Sequence, residues 1–117
     1  MVFNICISNT DDHLRNHGFL LNDRYWRLSP VFDINPSIYG DSLSLSIDGF
    51  NSEMSLDRTL SVANIFMLSN EEASRIIDTI KNTVQNNWIK LTKKYNISGD
   101  DMKRLSSAFN QYMEKKV

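Results

Sequence analysis

The sequence predicts a mainly α chain with a small β-hairpin region, an α+β arrangement, and three observations carry that prediction. Behind the capping-box pattern Ser69-Asn70-Glu71-Glu72, the residues Ala73, Ile76, Ile77, Ile80, Val84, Trp88, Leu91 and Tyr95 recur at steps of three and four, which predicts a long amphipathic helix. Gly18–Leu21 and Tyr25–Leu28 are β-prone runs on either side of Asn22-Asp23-Arg24, whose Asn and Asp suit a tight turn, so a hairpin is expected there. Pro30 and Pro36 bracket Val31–Asn35 and keep that segment out of any long helix.

In chain order, Val2–Ile7 is an apolar run that stops at Ser8-Asn9 and reads as the end of a helix. It opens with no cap or turn before it, so the natural element is expected to begin upstream and the chain to be a carboxy-terminal piece. Apolar surface at residues 2–7 and around the hairpin would then lie open, and self-association is expected. Leu43-Ser44-Leu45-Ser46-Ile47 alternates strictly and ends at the turn dipeptide Asp48-Gly49, predicting a half-buried edge strand. Ser55 is placed to cap a helix whose face holds Leu56, Leu60, Ala63 and Met67. Lys90, Lys93 and Lys94 complement the dipole at the end of the long helix, and Asn96 can terminate it. Ser98-Gly99-Asp100-Asp101 then opens a last helix with the apolar face Met102, Leu105, Ala108, Phe109, Tyr112 and Met113. Trp88 and the Ile/Val stripe read as core.

With 117 residues the chain is one domain at most, and 41% apolar with 23% charged residues fits a globular protein rather than a disordered one. Residues 1–50 hold six acids and three bases and residues 51–117 eight and ten, giving a net charge of −1, so no whole-chain field points to direct nucleic-acid binding. The Lys90–Lys94 cluster reads as a solvated helix end. A single Cys6 inside an apolar run forms no internal disulfide and reads as an inert thiol in a reducing compartment. The opening run is too short to span a bilayer and lacks a basic flank, so neither membrane nor export is indicated, and cytoplasm is the simplest location.

The chemistry concentrates in Asn9-Thr10-Asp11-Asp12-His13-Leu14-Arg15-Asn16 and in Asp33 downstream. An Asp, an Asn five residues on and a second Asp beyond a hairpin follow the order of a protein-kinase centre: a loop Asp facing the attacking hydroxyl, then two oxygen ligands for metal. Magnesium takes hard oxygens and keeps several waters, so the Asn16 amide and the Asp33 carboxylate suit it, leaving Asp11 to orient the hydroxyl and accept its proton. His13 and Arg15 lie between and can brace the loop. Arg15 reads equally as a phosphate contact or as an ion-pair partner of Asp11 or Asp33. The competing reading makes Asp11 and Asp12 no more than a cap or an Asx-turn after Asn9-Thr10. His13 and His17, four apart, lack a third ligand at suitable spacing, so zinc is not expected.

Asp-x-x-x-x-Asn alone is weak. The longer frame Ile7-Ser8-Asn9-Thr10-Asp11-Asp12-His13-Leu14-Arg15-Asn16-His17-Gly18-Phe19, followed by Trp26-Arg27-Leu28-Ser29-Pro30-Val31-Phe32-Asp33-Ile34-Asn35-Pro36, closely resembles the carboxy-terminal kinase region of the HipA family, the serine/threonine kinase toxins of bacterial type II toxin–antitoxin systems. The likeness continues more weakly toward Ala108-Phe109. It implies that Asp11 is the catalytic base, that Asn16 and Asp33 are magnesium ligands, and that the substrates are Mg2+-ATP and a protein hydroxyl. It also implies part of the helical C-lobe of a divergent kinase-like fold. Residues 1–36 would be the catalytic and metal-binding segment with its hairpin, and residues 55–115 helical support. The partners implied are an amino-terminal kinase lobe that grips nucleotide, a HipB-like DNA-binding antitoxin, and a protein substrate such as an aminoacyl-tRNA synthetase. Only ten residues precede Asp11, with no Gly-rich loop and no strand Lys among them, so the chain by itself is expected to be inactive or nearly so. The alternative is a kinase remnant that docks an antitoxin or regulates without handling nucleotide.

Overall fold

The computed structural model describes residues 1–110. Four α-helices and one antiparallel hairpin make up the regular structure of these residues: α1 (Val2–Cys6), β1 (Phe19–Asn22), β2 (Tyr25–Leu28), α2 (Leu56–Ser61), α3 (Asn70–Lys94) and α4 (Gly99–Asn110), with 3₁₀ turns at Leu14–Asn16 and Ala63–Phe66. Tyr112 and Met113, expected on the last helix face, lie outside the described residues.

The organising element is the shortest helix. An isolated helix of five residues is not stable in water, so α1 must owe its form to packing. On one side Ile5 joins Leu43, Ile47, Met54 and Val62; on the other Cys6 and Ile7 join Val84, flanked by Ile80, Phe109 and Ile34. The half-buried Leu56 touches both clusters and ties α2 to them. Residues 4–9 are therefore buried, against the expectation of an open apolar run, because α3, α4 and the 43–54 loop close over them. The hairpin is the open part: Phe19, Leu21, Tyr25, Trp26 and Leu28 are each at least 60% exposed.

Burial also silences the one thiol. Desolvation pushes the Cys6 pKa up to about 11, against weaker opposing pulls from Lys81 and the amino terminus. The native thiol is expected to resist thiol-specific reagents at pH 8 and to react only on unfolding, a contrast readable by mass spectrometry. Because the folded pKa is raised, the thiol contributes no pH dependence below about pH 9. Stability then falls as pH climbs from 9 toward 11, where the unfolded chain ionises first.

The long helix is as expected. Ser69 accepts from the Glu72 backbone N–H, and Glu72 accepts from the Ser69 hydroxyl and backbone N–H. Those two donors hold the Glu72 carboxyl below its ordinary range. Ala73, Ile77 and Val84 are buried, and Trp88 stacks on Phe109 of α4 with ring centroids 5.0 Å apart and planes within 8°. Ile76, Leu91 and Tyr95 depart from the predicted core stripe: all three are exposed, and Tyr95 follows the last helical residue and sits beside the Lys94 ammonium.

Two further expectations are corrected. The 55–67 helix stops at Ser61: Ser55 caps it as expected, but Val62 leaves helical geometry, a 3₁₀ turn follows, and Met67 takes a left-handed φ of 56° with its side chain in solvent. Residues 43–47 form no strand. Their alternation is nonetheless real burial, with Leu43 and Ile47 inside, held by two isolated hydrogen bonds, Leu43 N–H to Ser52 O and Ile47 N–H to Asn51 O. The backbone is pulled out of strand geometry by the Asp48 turn. Asp48 accepts from the Asn51 and Phe50 backbone N–H groups, the Asn51 side chain and the Arg58 guanidinium, which together hold it far below the usual carboxylate range.

Candidate functional site

The loop that follows α1 is anchored at its root. Ser8, fully buried in left-handed geometry at φ 53°, donates its hydroxyl to the Ala108 carbonyl of α4 at 2.6 Å. Buried Asn9 returns to α1 twice, backbone N–H to Asn4 O at 2.8 Å and side-chain amide to Asn4 Oδ1 at 3.2 Å. Its own Oδ1 accepts the Asp11 backbone N–H at 3.3 Å, so the Asx-turn is formed by Asn9 and leaves the Asp11 carboxylate uncommitted. That carboxylate is 74% exposed, and His13 Nε2 lies 3.6 Å from its Oδ1. The bracing role expected of His13 is thus geometrically available. His13 Nδ1 is buried with no hydrogen-bond partner among the described residues.

Asn16 closes the loop from the far end. Its side-chain amide donates to the Asp11 carbonyl at 3.1 Å, which spans the five-residue interval and fixes the two residues together. The Asn16 Oδ1 receives no protein hydrogen bond among the described residues, so the hard oxygen is free for another ligand. Arg15 is exposed and makes no ion pair with Asp11 or Asp33 among the described residues; of its two expected roles, the structural one is not realised.

Asp33 arrives by another route. Ser29 N–H donates to Gly18 O at 2.8 Å, extending the hairpin ladder by one pair, and a Cβ on Gly18 would lie 3.3 Å from Ser29 Oγ and 3.6 Å from the Phe32 ring. The absent side chain lets the Ser29–Phe32 strap close over the residues just after Asn16. Asp33 then takes φ 52°, a region Asp tolerates better than most residues, and its Oδ1 accepts from the Asn35 amide at 3.1 Å. Asp33 is exposed, and its second oxygen has no protein donor among the described residues. Asp11, His13 and Asn16 are brought together by direct contacts, whereas Asp33 is joined to them through the strap and makes no direct bond to them. No group of three or more His, Cys, Asp or Glu side chains is placed to hold a metal ion among the described residues. An amide oxygen and a carboxylate from separate segments, both with oxygen free, fit magnesium, which fills its remaining positions with water.

One pair escaped the sequence reading. Asp12, next to the exposed Asp11, is buried and accepts from His17 Nε2 at 2.6 Å. The His-x3-His spacing drew attention to metal, but the informative spacing is Asp12 to His17, five apart and straddling the same 3₁₀ turn as Asp11 and Asn16. Asp12→Ala leaves an apolar gap and an unpaired imidazole and is expected to destabilise the chain by about 1–3 kcal/mol. Equilibrium urea unfolding checks this, and an unchanged midpoint would remove Asp12 from the loop's scaffold.

On the other side of Asp11 the chain opens a cleft of about 550 Å³ between residues 35–39 and the start of α4. Residues 37–44 are held against the loop by Ser37 N–H to Ser8 O at 3.1 Å and Ser44 hydroxyl to Thr10 O at 2.8 Å. Gly40 turns there at φ 83°, where a Cβ would press to 3.3 Å from the Thr10 methyl.

A buried helix root carries the exposed Asp11 carboxylate with Asn16 tied to it, and Asp33 stands exposed beyond the hairpin, all on an α+β scaffold. The family model described as HipA-like C-terminal domain matches residues 1–88, which include Asp11, Asn16 and Asp33, and the chain belongs to that family. The match ends at Trp88, within α3, so the weaker likeness over residues 97–109 lies beyond it. Neither a curated protein nor a solved structure gives a match. No helix among the described residues is long and apolar enough to cross a membrane.

Proposed function

We infer that this chain is the helical-lobe portion of a HipA-like serine/threonine kinase toxin and transfers the γ-phosphoryl group of Mg2+-ATP to a protein hydroxyl once a nucleotide-gripping lobe is in place. The observation that carries the reading is the pairing within one turn of an uncommitted carboxylate, Asp11, with an amide, Asn16, that is fixed to it and keeps its oxygen free. Asp11 would accept the proton of the acceptor hydroxyl as its oxygen bonds to the γ-phosphorus and the bond to ADP breaks. Asn16 and Asp33 would hold magnesium, which when bound neutralises phosphate charge. His13, 3.6 Å from Asp11, would keep the carboxylate in place, and Arg15, free of protein carboxylates, would be available to phosphate. The chain's four glycines are scattered and build no phosphate-cradling loop, so nucleotide grip is assigned to another body, for which the uncovered apolar hairpin is the docking face. A HipB-like antitoxin and an aminoacyl-tRNA synthetase substrate are the partners the family suggests.

Calorimetry with Mg2+-ATP tests the reading. The chain alone is expected to bind negligibly. Joined to its nucleotide-gripping lobe, it is expected to bind in a magnesium-dependent way that Asp33→Ala removes. Binding indifferent to both magnesium and Asp33 would overturn the assignment. The exposed hairpin also favours a second reading, a non-catalytic module that docks an antitoxin; this predicts that Asn16→Ala and Asp33→Ala leave the biological effect intact.

A further inference from the structure

We propose that the cleft beside Asp11 is the acceptor subsite and that Arg104 selects a protein segment with an acidic residue near the phosphorylated hydroxyl. The inference rests on the reading of Asp11 as base, and it adds the substrate's chemistry.

Four observations converge. Asp11 lines the cleft, while Asn16 and Asp33 do not, so an occupant touches the base without occupying the metal positions. The walls are largely apolar, with Ile38 and Tyr39 on one side and Ile97 and Leu105 on the other, and the volume of about 550 Å³ exceeds that of a single side chain, as an extended peptide segment requires. Two charged groups from the 97–105 wall join them. Asp101 is already engaged: its carboxylate accepts the Ser98 hydroxyl at 2.7 Å, and its backbone N–H donates to Ser98 Oγ, so it is tied to Ser98, the residue that caps α4. Arg104 has no carboxylate within 4.0 Å among the described residues, although Lys103 beside it is paired with Asp100. The uncommitted cation of the cleft is therefore a guanidinium, suited to bidentate capture of an anion. That anion is a carboxylate of the acceptor or a phosphate of the nucleotide, and the position of Asn16 and Asp33 outside the cleft favours the acceptor.

The test is an amide NMR titration of the full 117-residue chain with three pools of serine-centred peptides whose flanks are Glu-rich, Lys-rich or neutral, and separately with Mg2+-ATP. The Glu-rich pool is expected to shift Tyr39, Ile97 and Leu105 and to bind about ten- to hundredfold more tightly than the Lys-rich pool. Arg104→Gln should abolish that preference and Arg104→Glu should reverse it, with unmoved α3 resonances showing that both variants fold. The inference is overturned if no pool shifts these residues, if the native chain shows no acidic preference, or if Arg104→Gln leaves the preference intact. It is equally overturned if Mg2+-ATP, and no peptide, moves them in an Arg104-dependent way. The titration reads binding without catalysis, so it can succeed or fail independently of the calorimetry on Asp33.

Discussion

Asp11→Asn in the kinase assembled from this chain and its nucleotide-gripping lobe is expected to slow phosphotransfer about a hundred- to ten-thousandfold, with little change in stability. The two halves of that expectation have separate grounds. The Asp11 carboxylate is 74% exposed and caps nothing; its backbone N–H and carbonyl, which do bond to Asn9 and Asn16, survive the substitution. The change in folding free energy should therefore stay within about 0.5 kcal/mol, as for surface positions generally. The rate loss follows because an amide is no proton acceptor at neutral pH. Steady-state phosphotransfer beside thermal unfolding of the same variant checks both halves. A variant that loses activity by unfolding would return Asp11 to a structural role, and undiminished transfer would end the assignment. Asp12 supplies the internal control: the neighbouring carboxylate, buried against His17, should behave in the opposite manner, costly to the fold when removed.

Sequence reasoning located the elements whose signals are local. Ser69 and Glu72 stand three apart and satisfy each other whatever the rest of the chain does, so α3 was legible from its first turn. The Asn22–Arg24 turn was legible for the same reason, and so was Ser55 as a cap. What misled was periodicity whose cause is tertiary. Leu43 and Ile47 alternate with serines as a strand would, yet their pairing with residues 51–53 amounts to one isolated bridge and two hydrogen bonds; their burial against Ile5 and Met54 sets the pattern. Met67 fits the helical face begun by Leu56, but the chain must turn after Val62 to reach α3, and a left-handed residue makes that turn. In the candidate site, the five-residue interval from Asp11 to Asn16 was legible, and a hydrogen bond spans it. The Asp12–His17 pair and the Ser8 tie to Ala108 were not, the first because His17 suggested a metal partnership with His13. The second joins residues a hundred positions apart, and no local pattern announces it.

The largest effect on stability is expected from Ile5→Ala. Ile5 is fully buried, and its side chain meets Leu43, Ile47, Met54 and Val62, residues from the 43–54 loop and the end of α2 that no hydrogen-bonded sheet holds together. Truncation removes three carbons from the point where these segments converge and leaves a cavity, a change that costs about 2–5 kcal/mol in well-packed cores. A five-residue helix has little cooperativity of its own, so the loss falls on α1 and on the Ser8–Asn9 root that α1 carries. Ile5→Val should cost only about 0.5–1.5 kcal/mol, and Leu21→Ala, in the 65% exposed position of an equally apolar stretch, under about 0.5 kcal/mol. Urea unfolding of the three variants gives the ranking. Equal effects of Ile5→Ala and Leu21→Ala would mean that the hairpin, and not α1, is the buried element, and the placement of the Asp11 loop on a rigid helical root would fall with it.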